Sequence, residues 1–162
     1  MKEVERLWAP WRRDYLLQPP RRGCVFCQAK RSRNDRTALV VHRARSVFCL
    51  LNRFPYNAGH LLIVVNRHVA DLTHLHGHEA SELMQVTREM VQLLMTALRP
   101  HGFNIGVNIG RVAGAGIPGH LHMHVVPRWA GDTNFMPAVG GAKVLSESLD
   151  ALYDHLKGKM PS

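Results

Sequence analysis

Three histidines at two-residue spacing are the feature of this chain with the clearest chemical potential. They are His120, His122 and His124, in the segment GHLHMHVVPRW. Alternate side chains of a β-strand lie on one face, about 7 Å apart, so the three imidazoles are predicted to share a face while Leu121 and Met123 point into apolar packing. Such a face suits a metal site or nucleophilic attack on phosphorus by one ring that its neighbours orient. The spacing leaves both chemistries open.

A second cluster of reactive side chains is the C-x-x-C formed by Cys24 and Cys27. With three cysteines in all, the chain does not have a disulfide scaffold, and Cys49 lies in an apolar run that predicts burial. A C-x-x-C outside such a scaffold indicates redox or metal chemistry. The redox interpretation expects a thioredoxin-like setting with a strand before the motif, and the sequence before Cys24 does not have that pattern. A four-coordinate metal site would need two further ligands.

The elements that position these residues predict an α+β fold. Five segments have strand character, and they are ALVVH, SVFCLLN, GHLLIVV, FNIGVNIG and HLHMHVVP. Helical spacing of apolar residues predicts a long helix over 77–98 and a short C-terminal one over 146–156. We therefore expect a mainly antiparallel five-stranded sheet in a single domain over residues 24–162, preceded by an arm over residues 1–23.

The long helix carries a second apolar stripe, which consists of Met84, Val91, Met95 and Leu98. Its apolar surface is therefore wider than one sheet contact needs. Either the helix is deeply buried or it forms part of a homodimer contact, and the second interpretation is favoured.

The chain's charge points to an anionic partner. Lys and Arg outnumber Asp and Glu by 21 to 12, which gives a net charge of +9, and such a surplus favours a nucleotide or a nucleic acid. No apolar run approaches the ~20 residues of a membrane helix, and the N-terminus lacks the apolar segment of a secretory signal. We expect a cytoplasmic protein that does not associate with membranes.

Taken together, these motifs resemble the histidine triad (HIT) family of nucleotide hydrolases and transferases. The segment HLHMHVV matches the family's alternating histidine signature, LLNRFPYNAGHLLIVVNRH its upstream strand–turn–strand, VNIG its Asn-x-Gly strand end, and CVFC its zinc-carrying branch. The resemblance covers roughly residues 24–137. It implies the HIT-like fold and an anionic nucleotide substrate, such as a dinucleoside polyphosphate accompanied by Mg²⁺, rather than a nucleic acid.

The resemblance also implies roles for individual residues. His122 would be the nucleophile at the α-phosphorus, His124 would contact phosphate oxygens and help to protonate the leaving group, and His60 would hold the ring of His122. The nucleotide-binding positions would be Asn52, Asn108, Gly116, Gly119 and Trp129, with Trp129 either stacking on a base or merely packing. In zinc-bearing relatives the metal ligands match Cys24, Cys27, His68 and His120.

One difference from the family pattern indicates which branch of the family the chain resembles. Many members carry Gln in the loop before the triad, where this chain has Gly116, and this difference argues against the best-known hydrolase branch. RVAGAGI, VVPRW, GDTNFMP and WAPWR resemble instead the bacterial branch that includes diadenosine tetraphosphate phosphorylases. The expected activity is nucleotidyl transfer to phosphate or water. The alternatives are hydrolysis of nucleoside phosphoramidates, a zinc-stabilised nucleotide- or nucleic-acid-binding module without turnover, and a three-histidine metalloenzyme.

Overall fold

A five-stranded antiparallel sheet forms the centre of the fold in a computed structural model that describes residues 23–132 and 147–160. The strands are β1 (Val40–Arg43), β2 (Val47–Leu51), β3 (Leu61–Val65), β4 (Gly102–Val107) and β5 (His122–Arg128). They lie in the order β1-β2-β3-β5-β4, so the last strand in sequence is inserted between β3 and β4. The predicted α+β fold with this sheet is confirmed. The division between arm and domain falls at the edge of the described residues and stays a prediction.

Two helices cover one face of the sheet. The described helices are α1 (Val25–Arg31), α2 (Asp35–Ala38), α3 (Gly77–Leu98) and α4 (Leu149–Lys159). The long helix α3 has the predicted bounds, whereas α4 begins three residues later than predicted, because the Ser148 side chain accepts a hydrogen bond from the Ala151 N–H and caps it. The main core consists of apolar residues from α3, α4 and the strand face beneath them.

The opposite face of the sheet carries the histidines. In the β3–β5 pairing His122 lies opposite Val64 and His124 opposite Leu62, and both apolar partners belong to a smaller core cluster on this second face. Leu121 and Met123 lie in the main core on the other side, as the alternation predicted. The two faces of β5 therefore separate the reactive side chains from the main core.

The cysteine motif and the segment after it form two short helices. Cys24 is the N-cap of α1, and α2 follows after three residues. A side-chain cap stabilises the start of α2, where Asn34 accepts from the Thr37 N–H. Helix α1 packs against the face that carries the histidines, through Phe26.

The second stripe of α3 divides into two parts. Val91 and Leu98 pack against the main core, whereas Met84 and Met95 are 58% and 51% exposed.

Within the described residues, no helix combines the length and the apolar character needed to cross a bilayer.

An ion pair with one buried partner fixes the start of α3 to the segment that follows β3. The Glu79 carboxylate accepts from Arg67 Nε at 2.7 Å and Nη2 at 2.6 Å, and from the His76 N–H at 2.9 Å. Arg67 also donates to the His74 carbonyl. The hydrogen bonds from Arg67 hold the pKa of Glu79 at about 2. Glu79 is thereby a buried anchor for Arg67, the residue that precedes His68 in sequence.

We expect E79Q to lower the free energy of unfolding at neutral pH by about 2 kcal/mol, because it weakens hydrogen bonds between two charged groups. The folded-state pKa of Glu79 is about 2, below the ordinary 4.5. Its carboxylate therefore stabilises the fold above about pH 4.5, and this contribution is lost as the pH falls towards 2. The difference in stability between wild type and E79Q should shrink over that interval, as measured by urea unfolding at a series of pH values.

The matched control is D154N, which breaks the exposed ion pair between Arg36 and Asp154. Both of its partners are about half-exposed, so the loss should be below about 1 kcal/mol. Equal losses in E79Q and D154N would contradict an anchoring role for Glu79.

Candidate active site and metal centre

The three histidines of β5 and its N-terminal approach form one continuous group of rings. His122 and His124 have ring centroids 4.9 Å apart, and Phe26 contacts the rings of both His120 and His122. His120 is 1% exposed and His122 6% exposed, whereas His124 is half-buried. His120 precedes the strand rather than lying in it. The group therefore runs from a buried end at His120 to an accessible end at His124.

A backbone carbonyl determines the tautomer of His122. Its Nδ1 lies 2.8 Å from the His120 carbonyl oxygen, and because a carbonyl can only accept, Nδ1 carries the proton. Burial lowers the pKa of His122 below the ordinary value for imidazole, which favours the neutral ring at neutral pH. In that ring Nε2 holds the lone pair. His122 therefore offers Nε2 as a nucleophile or ligand atom.

A second set of hydrogen bonds gives His124 the opposite polarity. Nδ1 of the buried His60 accepts from the Tyr56 N–H at 3.0 Å and lies 3.2 Å from Nδ2 of Asn52. The Asn52 Oδ1 accepts from the Phe54 N–H, which fixes the orientation of the amide. A neutral His60 therefore carries its proton on Nε2 and donates it to Nδ1 of His124 at 2.9 Å. The neutral His124 ring then holds its own proton on Nε2.

His60 contacts the histidine strand through His124, to which it is hydrogen-bonded. The role that the resemblance implied for His60, holding the ring of His122, stays a prediction. The ring of Tyr56 stacks on His60 at a centroid distance of 5.0 Å and an interplanar angle of 20°. Sequence reasoning did not single out Tyr56, because an aromatic residue in a Pro-containing turn has no distinctive spacing.

The glycine before His60 has a steric requirement. Gly59 has φ +76°, in the left-handed region, and an added Cβ would lie 2.6 Å from Cδ1 of Leu98 and 3.1 Å from Cγ of Pro127. The turn before β3 thus lies directly against α3 and the end of β5, and only glycine fits there without strain. This close approach places His60 beside β5.

A polar brace at the end of β5 was also missed by sequence reasoning. Asp132 accepts from Arg128 Nε at 2.6 Å, from the Trp129 N–H at 3.1 Å and from Asn57 Nδ2 at 2.6 Å. Asn57 lies in the same turn as Tyr56. The hydrogen bond from Arg128 holds the pKa of Asp132 well below its usual range. The brace therefore ties the turn that carries Tyr56 to the C-terminal end of the histidine strand.

The predicted metal ligands come together in space. One donor atom each from Cys24, Cys27, His68 and His120 lies within 4.8 Å of the other three. Nδ1 of His120 is 3.2 Å from Sγ of Cys24, 3.6 Å from Sγ of Cys27 and 3.2 Å from Nδ1 of His68. These four residues form a candidate metal site, drawn from α1, the segment after β3 and the approach to β5.

The hydrogen bonds of His120 orient it as a ligand. Its Nε2 lies 2.7 Å from the Val65 carbonyl, so Nε2 carries the proton and the lone pair of the neutral ring is on Nδ1. That lone pair points into a group of thiol and imidazole donors, where a cation would satisfy all four. Burial also lowers the pKa of His120, which favours the neutral, metal-binding form.

The predicted nucleotide-binding residues lie next to strand ends and in the loop before His120, and Asn52 among them contacts His60. Asn108 is half-buried just beyond the end of β4, and Gly116 and Gly119 are exposed in the loop that leads into His120. Trp129 is half-buried just after β5, and Asn52 follows β2 and contacts His60. Asn52 thus has a role in orienting His60 that sequence reasoning did not find.

A second run of histidines at two-residue spacing, His74, His76 and His78, is exposed. His76 is the N-cap of α3 and shares a capping box with Glu79. Among the described residues, this run is not part of the candidate metal site.

Comparison with known proteins assigns the chain to a family. Residues 33–131 match the family model described as the HIT domain. A relative named AP-4-A phosphorylase, from Mycobacterium tuberculosis (strain ATCC 25618 / H37Rv), is 40% identical over 155 residues, which cover 91% of this chain and 80% of the relative. The chain belongs to the HIT domain family and is a HIT-type enzyme.

Two further proteins extend the comparison. A relative named bis(5'-nucleosyl)-tetraphosphatase [asymmetrical], from Schizosaccharomyces pombe (strain 972 / ATCC 24843), is 30% identical over 93 residues, 57% of this chain and 50% of that protein. A Zn-bound histidine triad family protein from Mycobacterium smegmatis has a similar fold, with a TM-score of 0.68 at 22% identity over 85% of this chain and 92% of that one.

Proposed function

We propose that the protein cleaves a dinucleoside polyphosphate, such as diadenosine tetraphosphate, through a nucleotidyl-histidine intermediate on His122. The observation that carries this proposal is the hydrogen bond from His122 Nδ1 to the His120 carbonyl, which leaves the lone pair of a buried, neutral imidazole on Nε2. The names of the 40% identical mycobacterial relative and of the fission-yeast relative support the choice of substrate.

The first step would be an attack by Nε2 of His122 on the α-phosphorus. The N–P bond forms as the P–O bond to the leaving nucleoside triphosphate breaks, and the electron pair goes to the leaving oxygen. The imidazole ring becomes positively charged while its proton stays on Nδ1, so the hydrogen bond to the His120 carbonyl becomes charge-assisted. In the second step phosphate, or water with loss of a proton, displaces the nucleotide and returns the lone pair to Nε2.

His124 would bind the phosphate rather than act as a base. Its Nδ1 already accepts from His60, so the neutral ring presents an Nε2–H to an anion. That hydrogen bond would strengthen as negative charge develops on the phosphoryl oxygens. Because Asn52 and the Tyr56 N–H both donate to His60, the proton on His60 Nε2 is fixed in its position.

The nucleotide itself would lie across the β5 face. In this proposal Asn52 and Asn108 bind the ribose and its phosphate, and Trp129 lies near the base. Gly116 and Gly119 allow the loop backbone to approach the phosphates without a side chain in the way. Mg²⁺ enters only as the counterion of the polyphosphate substrate, and the net charge of +9 favours such an anion.

The product pattern distinguishes phosphorolysis from hydrolysis. With diadenosine tetraphosphate as substrate, ADP and ATP that appear only when inorganic phosphate is added identify a phosphorylase, and AMP and ATP without phosphate identify a hydrolase. Faster turnover of adenosine phosphoramidate than of diadenosine tetraphosphate would favour the alternative substrate class. Binding of the tetraphosphate without any product would favour a binding module.

H122A should reduce turnover of diadenosine tetraphosphate by about three orders of magnitude or more, because it removes the nucleophile itself. The assay is the initial rate of product formation, with circular dichroism as the test of folding. Quenching of the wild-type reaction in alkaline denaturant should also trap labelled nucleotide on the protein, because the N–P bond to histidine is stable in base and labile in acid, and H122A should trap none.

The control for H122A is H155A, which removes an exposed imidazole from α4. It should have wild-type rates. Retained activity in a folded H122A protein would show that another residue is the nucleophile.

We also propose that the cysteine–histidine cluster binds a structural Zn²⁺. Two thiols and two imidazoles form a complete tetrahedral donor set for this ion, and ligand atoms of such a site lie about 3.3–3.8 Å apart. The separations here are 3.2 Å for Cys24 Sγ to His120 Nδ1 and 3.4 Å for Cys27 Sγ to His68 Nδ1. A cytoplasmic location is part of this proposal, because thiol ligands stay reduced there.

Removal of the metal should cost stability and activity together. We expect C27S to lose Zn²⁺, to lower the free energy of unfolding by about 2 kcal/mol or more, and to lose activity in parallel. C49A is the control, because Cys49 is buried in the main core and contributes no ligand. Metal content and thermal unfolding measure the effect. Loss of activity on chelation with an unchanged melting temperature would favour a catalytic metal instead.

The homodimer predicted from α3 is a further part of the proposed function. Met84 and Met95 leave an exposed apolar stripe on α3, and β4 is an edge strand in which Ile105 is 47% exposed. Edge strands and apolar stripes are surfaces that a second copy can cover in an isologous contact.

We expect the wild-type protein to sediment as a dimer and M95E to sediment as a monomer, because the glutamate would place a charge in the contact. L72E is the control, since Leu72 is also exposed but lies outside α3. Analytical ultracentrifugation over a range of concentrations measures the difference. A monomeric wild type, or a dimeric M95E, would contradict the contact.

A further inference from the structure

Phe26 lies between the candidate metal site and His122, the proposed nucleophile, and contacts a histidine of each. It stands between the two cysteine ligands in sequence, on α1, and is 2% exposed. Its ring centroid lies 4.9 Å from that of His122, with an interplanar angle of 52°, and 5.4 Å from that of His120, with an angle of 78°. One aromatic side chain therefore contacts both the ligand and the nucleophile.

The ring of His122 needs such a contact to keep its orientation. The terminal torsion of a histidine side chain is broad and roughly two-fold, so a half-turn would exchange Nδ1 with the opposite edge of the ring. One hydrogen bond, from Nδ1 to the His120 carbonyl, opposes that rotation. A close-packed aromatic ring against the imidazole opposes it further, because the ring would have to move before His122 could turn.

The position of Phe26 depends in turn on the cysteines around it. Helix α1 has only seven residues, and isolated helices of this length are unstable in water. Cys24 and Cys27 lie one on each side of Phe26, and their sulfurs lie 3.2 Å and 3.6 Å from Nδ1 of His120. A metal bound by both cysteines would therefore fix Phe26 from either side.

We propose that Phe26 is a positioning residue for His122. Through Phe26, the candidate metal site sets the orientation of the proposed nucleophile. This inference rests on the proposed function of His122. It assigns to the C-x-x-C segment a role beyond holding the fold: the apolar residue between the ligands packs against the reactive imidazole. Phe26 itself touches neither metal nor substrate in this assignment.

The test compares F26L and F26A with F48L. Phe48 is a matched control because it is equally buried and belongs to the same core cluster, while its ring faces the guanidinium of Arg43. All variants are purified with Zn²⁺ and compared by metal content, kcat, KM and the rate of nucleotidyl-histidine formation in a single turnover. NMR of proteins labelled with ¹⁵N-histidine follows the Nδ1–H signal of His122 directly.

We expect both Phe26 variants to keep one metal per chain and a KM within about three-fold of wild type, while kcat and the rate of nucleotidyl-histidine formation fall about 10- to 100-fold, as misplacement of a reacting group by about 1 Å does. F26A should have the larger effect. The Nδ1–H signal of His122 should broaden or exchange faster with solvent in both variants and stay unchanged in F48L.

Three results would overturn the inference. The first is a kcat in the Phe26 variants no lower than in F48L, and the second is an unchanged Nδ1–H signal of His122. The third is loss of metal from both Phe26 variants, which would show that Phe26 is needed to form the candidate metal site. Failure of the proposed function is a separate outcome: H122A would stay active, whereas the effect of Phe26 on the His122 signal would still be measurable.

Discussion

The site depends on the buried hydrogen bond between Nε2 of His120 and the carbonyl of Val65, at 2.7 Å. This bond joins the last residue of β3 to the approach of β5, and it assigns the proton of His120 to Nε2. The bond has two consequences for His120, one at its side chain and one at its backbone. The free lone pair of His120 faces the cysteines, and its backbone carbonyl is held where it accepts from His122. One residue therefore contributes to the orientation of both the candidate metal site and the proposed nucleophile.

The fold was largely predictable because the information was local. Strict alternation in β5 separates histidines from Leu121 and Met123, and helical spacing over 77–98 gives α3 its observed bounds. The four candidate ligands were also predictable, but only through the resemblance to a family. Nothing in their spacing shows that Cys24 and His120, 96 residues apart in sequence, lie together.

The unpredicted features depend on tertiary contacts. The helix that begins at the cysteine motif has only seven residues, so packing on the sheet rather than intrinsic propensity stabilises it. The brace of Asn57 and Asp132 joins residues 75 apart in sequence, and each alone is an ordinary turn residue. Phe26 and Tyr56 are likewise ordinary aromatic residues in the sequence, and they gain a role only because the fold places histidine rings against them.

Two neighbouring imidazoles on one face of β5 acquire opposite polarity from opposite partners. His122 meets a backbone carbonyl, which can only accept, so its outer nitrogen is a lone-pair atom. His124 meets Nε2–H of His60, which donates, so its outer nitrogen carries a proton. Such a pair suits the proposed reaction, in which one imidazole nitrogen attacks phosphorus and the other binds the charged oxygens around it. Because both partners belong to buried, packed elements, this polarity is set by the fold before any substrate arrives.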